Sequence, residues 1–329
     1  DTMKKNNLLA FLLFTSIGFA QTPTSDAYAS TIESEDLRQL LYVYASDFFQ
    51  GRETGTLGQK RAVTFLKEFY ESRGIQAAAG SEDYFQKMTL NIKGEEIDTE
   101  NVIAIIEGSE KPEEYLVISS HLDHIGTHEG EINNGADDDG SGTVTLLEIA
   151  EAFQKAVADG KGPKRSVIFL HVTGEEKGLL GSAYYADNPL YPLANTIANL
   201  NIDMVGRTDP KRVSDNPNYI YLIGSDRLST ELHEISEQVN KATVNIDLDY
   251  TYNAHDDPNR FYFRSDHYNF AKNNIPVIFY FNGTHDDYHK PTDTVEKIEF
   301  DLMETRARLI FATAWELANR AERIKLIEE

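Results

Sequence analysis

The run Val167-Ile168-Phe169-Leu170 restricts the fold more than any other feature of the chain. Four apolar residues in succession put side chains on both faces of a strand, so neither face can be left to water. Comparable runs at 101–106, 115–120, 166–172, 197–203, 219–223 and 276–281 read as strands. Segments with helical periodicity lie before and between them, at 36–50, 57–73 (closed by Gly74), 142–158, 229–241 and about 300–325. Doubly buried strands alternating with helices predict an α/β fold: a three-layer sandwich in which helices flank a mixed, mainly parallel central sheet. No internal repeat or low-complexity segment breaks the alternation, which points to a single domain over residues 35–329.

The first residues follow a different pattern. Met3-Lys4-Lys5 precedes the apolar run 8–14 and then Gly18-Phe19-Ala20, the order of a charged n-region, an h-region and a small-x-small cleavage site. Residues 1–20, with Asp1 and Thr2 as extra leading residues, are therefore expected to form a signal peptide cleaved near Ala20. The polar, Ser/Thr-rich stretch 21–34 is expected to be a linker. The apolar run is too short to span a bilayer, so the expected product is exported, periplasmic or extracellular, without a stable membrane anchor. The chain has no cysteine, which rules out thiol catalysis, Cys-ligated zinc and a lipidated cysteine. Any metal must be held by His, Asp and Glu. With 54 acidic residues against 31 basic ones and a formal net charge of -23, nucleic acid is an unfavourable partner.

Acidic and imidazole residues gather where the expected strands end. The strand at 115–120 runs into His121-Leu122-Asp123, and the one at 166–172 into Gly174-Glu175-Glu176. The strand at 197–202 ends at Asp203. Ligand crevices of open α/β sheets lie outside the carboxyl ends of strands, so these groups can converge. Two further stretches join them: 134–142, containing Asp137-Asp138-Asp139, and 287–294, containing Tyr288-His289. His121-x-Asp123 is a weak pair alone; its appeal is that Asp123 can hold the imidazole by its second nitrogen. Three adjacent carboxylates repel one another, which a cation relieves, although an acidic helix start gives the same pattern. Glu175 and Glu176 project in different directions, so one can ligate a metal while the other faces substrate as a base. Asp203 closes an apolar strand, where a buried carboxylate needs compensation. His124 and His128 lie near His121, but loop histidines are ordinarily solvated. His285 competes with His289, since both follow the last strand.

In this order the motifs resemble those of the zinc aminopeptidases of peptidase family M28, over about 121–294 and more loosely back to 101. The resemblance implies that His121 and Asp203 hold one zinc, that Glu176 and His289 hold another, and that Asp138 bridges them. Two Zn²⁺ per chain would then share a water or hydroxide. It implies Glu175 as general base, Asp123 as the partner of His121, and a cis peptide bond between Asp138 and Asp139. Asp139 is expected to support the ligands, and Tyr288 is the first candidate to steady the oxyanion. The segment 264–268 resembles a further part of the family's cleft. The expected substrates are peptides with a free amino terminus, because an acidic crevice favours a cationic α-amine.

Three other readings stay open. Glutaminyl cyclases share the scaffold, but those known carry Trp beside the site, one of them just before the last histidine. This chain has Tyr288 there, and its only Trp is Trp315 in the terminal helix. A metallocarboxypeptidase needs cations aimed at the substrate's terminal carboxylate, and Arg207 and Arg264 lie near the motifs. A non-enzymatic binding module on this fold would lack ligands or base, all of which are present. A His/Asp/Glu donor set also accepts manganese or cobalt.

Overall fold

The structure, a computed structural model, describes residues 25–81 and 83–328. The expected signal peptide and residues 21–24 of the expected linker lie outside the described residues.

Nine strands build one sheet: β1 (Gln76–Ala77), β2 (Phe85–Ile92), β3 (Glu95–Ile106), β4 (Lys111–His121), β5 (Arg165–Val172), β6 (Thr196–Ile202), β7 (Tyr219–Ile223), β8 (Asp247–Asp249) and β9 (Val277–Phe281). Their spatial order is β1-β3-β5-β4-β6-β9-β7-β8, with β2 also on β3. The central four, β5-β4-β6-β9, are mutually parallel. The flanks turn antiparallel, β3 against β5 and β7 against β9. The parallel character thus belongs to the centre, where all eight residues of β5 are buried. At the margin, β2 alternates buried and exposed positions, as a strand with one wet face does.

Helices α1 (Asp26–Ala29), α2 (Ser34–Tyr44), α3 (Leu57–Arg73), α4 (Gly142–Ala158), α6 (Thr230–Ala242) and α8 (Phe300–Asn319) cover one face of the sheet. Helices α5 (Leu180–Asp187) and α7 (His267–Ala271) cover the other. Alternation along β4 serves both layers: Leu116 and Ile118 join the first core, Tyr115 and Val117 the second. Thr56 caps the first turn of α3, and Gly74 ends it in the left-handed conformation at φ 69°.

Three boundaries differ from expectation. The stretch expected to be a linker is, from residue 25 on, packed onto the sandwich. Tyr28, Ala29 and Ile32 are buried, and the Tyr28 ring lies 5.5 Å from that of Trp315. Three apolar residues suffice to dock an otherwise polar segment. Helix α2 stops at Tyr44 rather than near residue 50, because the buried guanidinium of Arg52 donates to the Tyr44 carbonyl at 3.3 Å and ends the helix. Helix α8 stops at Asn319 rather than near 325. The Lys325 carbonyl accepts from the Ser229 hydroxyl at 2.6 Å, and Ile327 N donates to Leu228 O at 2.9 Å, so the tail is tied to the start of α6. Among the described residues, no helix is long and apolar enough to cross a membrane.

Candidate metal centre

The parallel strands of the centre deliver their carboxyl ends to one place. β4 ends on His121, β5 leads through Thr173-Gly174 into Glu175-Glu176, β6 leads into Asp203, and the loop after β9 carries His285, Tyr288 and His289. The turn 136–141 brings Asp138 in from the start of α4, and its Asp138–Asp139 peptide bond is cis.

Two sets of donor atoms meet at Asp138. His121 Nε2 lies 3.2 Å from Asp138 Oδ1 and 3.6 Å from Asp203 Oδ1. His289 Nε2 lies 3.0 Å from Asp138 Oδ2 and 3.1 Å from Glu176 Oε2. His121, Glu175 and Asp203 offer ligand atoms within 4.8 Å of one another, and so do His124, Asp138 and Glu176. Both groups have the donor chemistry and spacing to hold a divalent cation. Glu175 therefore sits beside His121 and Asp203, and its neighbour Glu176 faces the opposite cluster.

The tautomer of His121 bears on what fits between these groups. Its Nδ1 donates to the Asp123 carbonyl at 3.0 Å, which leaves Nε2 facing two carboxylates, where it either carries a proton or meets a cation. Such an arrangement needs a positive charge in its midst. The Asp123 carboxylate stands 3.8 Å from Nδ1 and instead accepts from the Thr54 hydroxyl at 2.9 Å and from Glu175 N at 3.1 Å. The backbone of Asp123, rather than its side chain, thus fixes the imidazole, and the side chain ties the Glu175 loop to β4.

The remaining acidic residues are committed to holding the turn. Asp139 accepts from the backbone N–H of His121, Gly142 and Met204 at 3.1, 3.0 and 3.2 Å, joining β4, α4 and β6. Asp137 accepts from Gly206 N at 2.7 Å and faces His285 Nε2 at 3.0 Å, so His285 is turned away from Glu176. Asp293 accepts from Asp137 N and Asp138 N at 3.1 Å each. Ser265 donates to Asp203 at 2.6 Å and accepts from Asn201 Nδ2 at 2.8 Å. Arg52, buried beneath the turn, donates to the carbonyls of Leu122, Asn134 and Gly135 at 3.2, 2.7 and 2.9 Å.

Electrostatics mark the cluster as short of positive charge. Burial alone would lower the pKa of His289, but hydrogen bonds to Asp138 and Glu176 carry it up to about 10. His121 moves the same way: burial opposes its charge, and the fields of Glu175 and Asp203 overcome that opposition. Burial pushes the Glu175 carboxyl well above the usual range. The carboxylates draw protons onto the histidines, a demand that a divalent cation also meets.

Beside the cluster a pocket is lined by Asp138, Glu175 and Asp203, with Met204, Phe261, Phe279 and Phe281 as apolar walls and Arg264, Thr284 and Tyr288 at its side. Tyr288 stacks on the His289 ring at a centroid distance of 3.9 Å. His128 is exposed in a two-residue strand. His124, by contrast, is fully buried within the second cluster, although it sits in a loop where solvation is the ordinary outcome. Nothing in the residues around His124 signals this. Its burial depends on Arg52, distant in sequence, and on Gly135; the His124 ring covers Gly135 so closely that a Cβ there would lie 2.5 Å from it.

Comparison with known proteins bears on the family and the fold. The model of peptidase family M28 matches residues 101–314. A probable leucine aminopeptidase of Arthroderma benhamiae is 26% identical over 316 residues, 91% of this chain and 81% of that protein. Among solved structures, a zinc aminopeptidase from Bacillus subtilis superposes with a TM-score of 0.66 at 17% identity, covering 91% of this chain and 98% of that one. The glutaminyl cyclase of Porphyromonas gingivalis superposes with a TM-score of 0.69 at 19% identity, covering 86% and 98%. At such identities the two structures establish a shared fold.

Proposed function

Because this chain belongs to peptidase family M28, we propose that it is a zinc aminopeptidase that holds two ions per chain and releases the amino-terminal residue of peptides. The observation that carries the reading is the paired arrangement of His121 and His289, each with a ring nitrogen facing carboxylates and both reaching Asp138. In this reading His121 and Asp203 would hold one ion, Glu176 and His289 the other, and Asp138 would serve both. Bound zinc would lower the pKa of a water and polarise the scissile carbonyl.

The chain's own groups carry the rest of the chemistry. Glu175 takes a proton from the attacking water, whose oxygen bonds to the carbonyl carbon. As the C–N bond breaks, Glu175 returns that proton to the leaving amine. The Tyr288 hydroxyl, beside the same pocket, donates to the oxyanion. Asp138, Glu175 and Asp203 on the pocket wall favour a substrate α-ammonium, which supports cleavage at a free amino terminus. Trp315 packs on Tyr28, Phe153 and Phe311 in the first core, so no Trp stands at the site as in the known cyclases.

One observation favours a second reading. Arg207 is engaged by Asp287 at 3.2 Å, but Arg264 lies over the Phe261 ring, 4.9 Å from its centroid, and lines the pocket. A cation there suits the terminal carboxylate that a carboxypeptidase binds. Aminoacyl-p-nitroanilides with free and acetylated amino termini, assayed beside amino-blocked peptides with a free carboxylate, separate the two. Cleavage of the free-amine substrates alone is expected, lost on chelation and restored by zinc. Glu175→Gln is expected to lower kcat by ~10²–10⁴-fold with zinc content unchanged. A zinc-loaded enzyme that cleaves only the amino-blocked peptides overturns the aminopeptidase reading.

A further inference from the structure

His124 is the one buried histidine at the site with neither nitrogen hydrogen-bonded among the described residues. Its exposure is 0%, so bulk water does not reach it. An imidazole left in that condition incurs the full cost of desolvation without return. The nearest oxygen, Glu176 Oε1, lies 2.9 Å from His124 Nδ1 and also lacks a hydrogen bond. At 2.9 Å distance is no obstacle, so it is direction that prevents the bond: the ring does not aim an N–H at the oxygen. A ring nitrogen and a carboxylate oxygen, both buried, thus stand side by side with no hydrogen bond between them.

Other donor atoms surround this pair. His124 Nδ1 is 3.8 Å from Asp138 Oδ2, and His289 Nε2 is 3.0 Å from that same oxygen. Donors bound at ~2.0–2.2 Å to one tetrahedral zinc stand roughly 3.3–3.6 Å apart. The observed separations of 2.9 to 3.8 Å bracket this value. The His124 and His289 rings meet edge to face with centroids 5.7 Å apart, which lets both direct a nitrogen inward.

We propose that His124 is a further ligand, through Nδ1, of the ion held by Asp138, Glu176 and His289. The inference rests on the two-ion reading above and extends it. It makes the two positions unequal: the second offers two imidazoles, the first offers one imidazole and carboxylates. Zinc favours nitrogen donors over oxygen alone, so the second position fills first.

Zinc titration of the chelator-stripped full chain, followed by competition with a chromogenic chelator, reads both steps without reference to activity. Wild type is expected to bind in two steps. His124→Ala and His124→Asn are each expected to weaken the tighter step by ~10–100-fold and leave the other in place. Asparagine can donate from nearly the position of Nδ1, so restored affinity in His124→Asn would show mere hydrogen bonding and overturn ligation. Wild-type affinity in both variants would overturn it as well. The cobalt-substituted wild-type protein gives an independent reading that needs no variant. Three exchangeable imidazole N–H resonances shifted by the metal are expected, from His121, His124 and His289, and two would overturn the proposal. Wild type that binds fewer than two ions overturns the two-ion reading itself, whereas two ions with only two shifted imidazoles overturns the role of His124 alone.

Discussion

At the scale of single residues, the groups that touch the centre were easier to find than the groups that hold them. His121, Glu175, Glu176 and Asp203 stand at strand ends, and Asp138 lies within a run of like charges, so position and repulsion singled them out. Asp293 carried no such signal. Its carboxylate holds Asp138 N across 155 residues of chain, and only the folded turn reveals the pairing. The cluster of N–H groups it serves is buried, so removing the acceptor leaves both donors without partners. Asp293→Ala is expected to weaken zinc binding by ~10–100-fold, because the Asp138 backbone is then free to shift its carboxylate. Asp293→Asn keeps one oxygen and is expected to retain most of the affinity. Chelator competition measures both, and equal affinities for wild type and Asp293→Ala would show that Asp138 is held by other contacts. Asp123 illustrates the opposite case: the residue was legible, but the atom that meets His121 is its carbonyl rather than its carboxylate.

Elements were legible in proportion to how completely they are buried. The bounds of α3, α4 and β7 coincide with those expected, since capping residues or unbroken apolar runs mark them. The hairpin of β2 and β3 was missed before Asn101. Its exposed half alternates polar with apolar residues and its turn residues give β3 a charged start, Glu95-Glu96. Helix α5 was missed because it is only eight residues long and the Gly-rich stretch before it reads as loop. A different glycine explains how α4 approaches the sheet. A Cβ on Gly142 would lie 2.3 Å from Asp139 Oδ1 and 2.5 Å from the backbone carbonyl of Ile202, the residue before Asp203. No rotamer change relieves a contact with sheet backbone, so α4 must move away from β6. Gly142→Ala is expected to cost ~1–3 kcal/mol, a fall in Tm of roughly 2–10 °C. Because Asp139 and Asp203 lie on either side of the displaced contact, zinc affinity should fall with it. Calorimetry that finds the Tm unchanged would mean the helix start relaxes without disturbing β6.

Across the whole molecule, buried titratable groups set opposite slopes on stability. Burial lowers the pKa of His171, held between the Tyr70 and Ser120 hydroxyls, from 6.5 to about 3. His267, stacked on Phe279, is lowered to about 3 as well, again chiefly by burial. The folded chain therefore binds fewer protons than the unfolded chain between these values. The stability the two histidines confer is whole above pH 6.5 and is lost as pH falls toward 3. Glu148 acts in the other direction. Arg73 and Lys155 pair with Glu151 at 2.9 and 3.0 Å, leaving Glu148 on α4 buried without a cation of its own among the described residues. Burial first, then the fields of Glu151 and Asp36, raise its pKa from 4.5 to about 8. The folded chain keeps a proton there that the unfolded chain has released, so the associated stability is whole below pH 4.5 and is lost as pH rises through about 8. Above pH 6.5 only Glu148 among these three still titrates, and its slope is downward. Glu148→Gln replaces the protonated carboxyl with a neutral group of the same shape and removes that slope. Compared with wild type at matched zinc, the variant should show almost no gain at pH 4.5 and a gain that grows to ~4 kcal/mol at pH 8, levelling off near ~5 kcal/mol above it. Urea unfolding at a series of pH values measures the difference directly. A difference that stays flat across that interval would mean that Glu148 ionises normally in the folded chain, with water or one of the nearby cations reaching it inside the helix layer.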